Sequence, residues 1–210
     1  MPNKKEPWTQ AARDADEGMK VVDGLISFIS DGRGKPSTNQ RSLYVAAVSF
    51  SYAVWENYIE DLAIELVQRM APAIDPDRLP DELVKRIEDG LSAWQLAVSP
   101  GWRDIWISRV QIAAKGDERG GYGLSMARPS QVEHLFGWVG FSPFHGFGPT
   151  LAELNNLINL RNAAVHTGKI PESLRKDDVI SWRDFVHKLY ESIDKGCRGM
   201  AANLYGEDLY

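Results

Sequence analysis

The chain has 210 residues, of which 43% are hydrophobic and 25% charged, with a formal net charge of −5. This is the composition of an ordinary globular protein, long enough for one well-buried domain. The acidic balance argues against broad, unspecific adhesion to nucleic acid, which needs a basic surface, but leaves room for a local basic site.

The single Cys197 excludes an internal disulfide and forms no metal-binding pattern, so a reducing compartment is expected. Met1 to Gln10 is polar and lacks the apolar core of a secretory signal. The most apolar stretch, Leu43 to Trp55, is interrupted by Ser49 and Ser51 and is too short to span a bilayer. These features lead us to expect a cytoplasmic protein that makes no use of a membrane.

Residues 1–7 read as a loose tail. A first helix is expected from about Thr9 to Ser30, with Met19, Val22, Leu25, Ile26 and Ile29 as its buried stripe. The segment from Asp31 to Pro36 breaks it. A second, longest helix is expected from about Gln40 to Met70. Its first half is apolar or small all round, so other helices should surround it. Glu56 follows that half directly. It reads either as a surface glutamate or as a carboxylate facing a polar pocket, where burial would require a partner.

Ala71 to Pro80 is a proline-rich connector. A helix is expected from Pro80 to about Val98, and a shorter one over Trp102 to Ala114. Lys115 to Arg128 is rich in glycine and charge and reads as a mobile surface loop. Pro129 opens a short helix through Leu135. Gly137 to Thr150 holds three phenylalanines among its glycines and prolines and reads as an irregular loop packed on the domain, with Phe136 to Phe147 a candidate ligand pocket. A helix should then begin near Thr150, with Glu153 closing a capping box. Its inward stripe is Leu151, Leu154, Ile158 and Val165, and Gly168 and Pro171 end it. A last helix is expected from Asp177 to Met200, with Ile180, Phe185, Val186, Leu189 and Ile193 apolar. Strand alternation and internal repeats are absent, so the fold class is all-α.

Chemistry concentrates in Leu157 to Gly168, L-I-N-L-R-N-A-A-V-H-T-G. Arg161 lies on or beside the apolar stripe, so its guanidinium needs an anionic partner or an exit to solvent. Asn162 both donates and accepts hydrogen bonds. His166 falls in the last turn, where helix carbonyls attract positive charge. On an ideal helix Arg161 and His166 are about 140° and about 7.5 Å of rise apart, so one helix does not aim both at one point. A second copy of the helix across an interface would supply the complement. The plain alternative is an arginine paired with a core carboxylate and a histidine that only caps a helix. Arg128 with His134, and Arg183 with His187, have similar spacings. The first pair opens a helix, and the second reads as a solvated face.

The run R-N-A-A-V-H resembles the R-x4-6-H motif of HEPN domains, in which a polar residue, often Asn, follows the Arg. The long helix with F-S-Y-A-V-W-E-N-Y and the segment L-F-G-W-V-G-F are similar to stand-alone bacterial HEPN proteins of the RiboL-PSP and MAE types. The resemblance spans roughly Leu43 to Leu189 and is weakest over Ala71 to Arg128. It implies a single HEPN-like domain over 1–210: a bundle of about five main helices with short extra helices, one Gly-rich loop, and a family-specific insertion over 71–128.

The resemblance further implies a homodimer with facing motif helices and metal-independent endoribonuclease activity, without a cofactor, in a toxin or defence system. Arg161 and His166 would be the catalytic pair, with Asn162 and more weakly Glu56 supporting. RNA would be the substrate, and an antitoxin protein a partner. Some such toxins are silenced by nucleotidylation of a Tyr soon after the motif histidine. Here Thr167-Gly168-Lys169 follow instead. Lys169, Arg175 and Lys176 lie just beyond the motif and read either as ordinary surface charge or as RNA-steering residues. The alternative function is a catalytically inactive HEPN module for dimerisation and RNA or partner-protein binding.

Overall fold

A computed structural model describes residues 9–30, 35–89, 101–117, 123–167 and 172–205, with only the backbone at 148, 149, 167, 204 and 205. Among them are seven α-helices, one 3-10 turn and no strand. The helices are α1 (Gln10–Ser27), α2 (Thr38–Met70), α3 (Asp81–Glu88), α4 (Trp102–Lys115), α5 (Pro129–Phe136), α6 (Gly148–Thr167) and α7 (Lys176–Tyr205). The all-α expectation holds, and no helix is long and apolar enough to cross a membrane.

The 33-residue α2 is the axis of the bundle. It packs against α1, α4, α6 and α7, so apolar residues are required on most of its circumference. Trp55, Tyr58, Ile59, Leu62, Leu66 and Met70 are all fully buried along it. The α1 stripe is as expected: Met19, Val22 and Ile29 are buried and Leu25 and Ile26 pack against the core. Thr9 caps α1 by accepting from the Ala12 N–H, and donates its own hydroxyl to the buried Asp194 of α7. The C-terminal end of α2 is closed from α4, where Arg103 donates to the carbonyls of Ala71 and Ile74. The Ala71 carbonyl at the helix C-cap and the Ile74 carbonyl in the turn beyond it lie outside the helical ladder, so a guanidinium fork suits them.

Four expectations change. The third helix closes at Glu88, where Asp89 leaves helical backbone angles, and its expected continuation to Val98 lies outside the described residues. Helix α6 starts at Gly148 rather than at Thr150. Pro149 is tolerated in that first turn because its missing N–H would be unpaired there anyway. Val165 is 50% exposed, and Leu157 takes the buried place in the stripe beside Leu154 and Ile158. Arg183 and His187 are not a solvated face but line the seam between α7 and α1. Arg183 pairs with Asp23 at 2.8 Å, and His187, 19% exposed, lies 3.6 Å from Asp16.

The aromatic segment after α5 fills the core. Phe136 and Phe144 are buried, Phe144 meets Trp55, and Trp106 of α4 donates to the Trp138 carbonyl. Part of the connecting stretch 71–128 also enters the core, through Trp106, Val110 and Ala114 of α4.

Candidate functional site

The site is built on a face of α6, with α2 behind it and a short strap beside it. Arg161 is half-buried. Its Nη1 donates to the Asn162 Oδ1 at 2.9 Å, and its Cζ lies 5.1 Å from the centre of the Tyr52 ring. The ring face attracts the cation and fixes the plane of the guanidinium. Among the described residues no carboxylate lies within ion-pair distance of Arg161. Its Nε is buried without a hydrogen-bond partner. An arginine paired with a core carboxylate is therefore not what α6 contains.

Tyr52 and Glu56 are one turn apart on α2. The Tyr52 hydroxyl donates to a Glu56 carboxylate oxygen at 2.8 Å and accepts from the Ala127 N–H at 3.0 Å. Burial pushes the phenol pKa well up; the Ala127 bond opposes this and the Glu56 carboxylate adds to it. The hydroxyl thus stays a donor. Glu56 is half-buried, with the Tyr52 hydroxyl as its hydrogen-bond partner. It holds Tyr52 rather than neutralising Arg161. Ser49, one turn earlier on the same face of α2, has a buried hydroxyl oxygen with no partner.

The strap is 123–128, the described end of the stretch expected to be a mobile loop. Gly123 sits so close to the end of α4 that a Cβ would lie 2.5 Å from the Ala114 carbonyl oxygen, so only glycine fits. Leu124 N–H then bonds to that same carbonyl at 2.9 Å. Ala127 is fully buried and clamped at both ends, its N–H to Tyr52 and its carbonyl to the Trp55 indole N–H at 3.0 Å. The clamp fixes its neighbours. Met126 Sδ accepts from Asn162 Nδ2 at 3.3 Å, and Arg128 Nη2 donates to Asn159 Oδ1 at 3.1 Å. A glycine-rich composition conceals this, because nothing in it shows which carbonyls the segment will meet.

His166 lies in the last turn of α6 and is exposed. It shares a face with Asn162 four residues earlier and with Asn159 seven earlier. Arg161 leans inward on Tyr52 while His166 points away from the bundle, as the helical angle between them requires. Asn162 joins the two: it accepts from Arg161 and shares the histidine's face.

Gly168 and Lys169 lie outside the described residues. Arg175 donates to the carbonyls of Glu172 and Leu174, and Lys176 to the carbonyl of Ile29 at 2.9 Å. Arg175 thus closes the turn that leads into α7, and Lys176 ties the start of α7 to the chain just past α1.

No curated protein and no solved structure gives a significant match to the chain. Residues 128–198 match the model of the RiboL-PSP-HEPN family, a span from Arg128 through α5 and α6 into α7 that includes every α6 residue of the site. Over that span the chain carries a HEPN-family domain of the RiboL-PSP type.

Proposed function

We propose that this protein is a metal-independent endoribonuclease of the HEPN type, acting as a toxin or defence effector through a site that two copies complete. The observation that carries the reading is Arg161. It is a guanidinium held in place by Asn162 and the Tyr52 ring, with no carboxylate to neutralise it among the described residues. Such a group is prepared for an anion, and a phosphodiester matches its fork.

Cleavage requires the RNA 2′-hydroxyl to lose a proton while O2′ bonds to phosphorus. The P–O5′ bond then breaks and O5′ takes up a proton, leaving a 2′,3′-cyclic phosphate and a 5′-hydroxyl end. Imidazoles suit both proton transfers near neutral pH. One chain offers one His166 at this site, so the base and the acid come from the two copies. The two Arg161 groups stabilise the charge on the phosphorane. Half-exposed Val165, one turn beyond Arg161, is an uncovered apolar position beside them and supports contact with a second copy. Asn162 and Glu56 support, the latter through Tyr52. Lys169 is a weaker contributor that steers RNA, whereas Arg175 and Lys176 are held by chain carbonyls and add only their long-range charge.

The test is RNA cleavage in the presence of EDTA by purified wild type, Arg161→Ala and His166→Ala. We expect wild-type cleavage and loss of at least about 100-fold in each variant, the scale of one general-acid or electrostatic group. Unchanged cleavage by both variants contradicts the reading. RNA binding without turnover by wild type favours instead the catalytically inactive HEPN module.

A further inference from the structure

Arg128 stands outside the motif, yet α6 and the strap deliver it to the same ridge. Two guanidiniums are each held there by an asparagine of α6. Arg161 is held by Asn162, and Arg128 by Asn159 three residues earlier, about 4.5 Å along the axis. Neither has a carboxylate partner among the described residues.

Other arginines of the bundle are committed to structure. Arg69 and Arg183 pair with carboxylates, and Arg103 and Arg175 close chain carbonyls. Among the described residues Arg128 donates only one Nη, to a neutral amide, which leaves the rest of its fork and its charge uncommitted there. Its backbone is not left to chance, because Ala127 beside it is buried and bonded at both its N–H and its carbonyl. Preorganisation of this kind lowers the ordering cost of holding a ligand.

We infer that Arg128 is a second phosphate-binding residue, which seats the RNA backbone next to the phosphate held at Arg161. The inference rests on the ribonuclease reading above. Arg128 would set affinity and register on the strand, while Arg161 serves the scissile phosphate. It is a positioning residue and takes no part in proton transfer.

The test is the salt dependence of binding to a single-stranded RNA oligonucleotide bearing 2′-O-methyl groups throughout, which the protein cannot cleave through a 2′-hydroxyl. Each phosphate contact on a single strand contributes about 0.7 to the slope of log affinity against log salt. Arg128→Gln, which keeps an amide donor toward Asn159, should flatten the slope by about 0.7 and weaken binding at low salt. Arg128→Lys, which keeps the charge, should retain the wild-type slope. An unchanged slope and affinity in Arg128→Gln overturns the inference, as does a change in oligomeric mass in place of a change in slope. If wild type binds the oligonucleotide and Arg161→Ala weakens it while Arg128→Gln does not, this inference alone fails. If wild type does not bind RNA at all, the ribonuclease reading falls with it.

Discussion

At the scale of single residues, Tyr52 ties the site together. Its ring supports Arg161, and its hydroxyl joins Glu56 to the strap. Tyr52→Phe keeps the ring but leaves the buried Ala127 N–H without an acceptor. An unsatisfied buried donor costs about 1–3 kcal/mol, so urea unfolding should show a loss of that size. Cleavage should fall as well, because Met126 and Arg128 ride on Ala127. Equal stability of variant and wild type would mean that the hydroxyl is not the clamp. Cys197 gives a simpler expectation. It is fully buried and burial pushes its thiol pKa well up, so it should resist thiol reagents in the folded protein and react only on unfolding. Rapid labelling of the native chain would contradict this.

At the scale of elements, α2 and α4 are linked by Lys115, which reaches Glu60 at 2.7 Å and Asp61 at 3.0 Å. Burial raises the Glu60 pKa and Lys115 opposes the rise; the bonds to Glu60 and Asp61 in turn raise the lysine above its ordinary value against its own desolvation. A carboxyl whose folded pKa is raised loses stability as pH rises through its titration, and Lys115 offsets that loss only while Glu60 is ionised. Lys115→Ala should therefore cost about 1 kcal/mol at neutral pH, and less as the pH falls through the raised Glu60 pKa. A cost that grows toward acid pH would refute this account.

The order of elements was legible because α1, α2 and α7 announce themselves by apolar periodicity. So was the motif helix, whose Arg161, Asn162 and His166 are neighbours in the chain. The strap was not legible, because Ala127 is defined by Tyr52 and Trp55, more than seventy residues away. Arg128 looked like a chance pairing with His134 for the same reason; its partner is Asn159, on another helix. Val165 fitted the apolar pattern of α6 but falls where that helix leaves the bundle.

At the scale of the whole molecule, α2 presents Tyr52 and Glu56, the strap presents Arg128, and α6 presents Arg161, Asn162 and His166. In our proposal one chain thereby supplies the phosphate-binding guanidiniums and a single outward imidazole. Our central claim is that two copies make the site. A two-fold pairing of α6 helices brings each chain's residues opposite the same set from the other. Subunit exchange tests this most directly. Wild type is mixed in varying proportion with Arg161→Ala protein at constant total concentration, allowed to exchange, and assayed for RNA cleavage. Our account predicts activity falling as the square of the wild-type fraction, because a dimer with one altered chain is disabled. Activity falling in simple proportion to the wild-type fraction would show that each chain acts alone, and would contradict it.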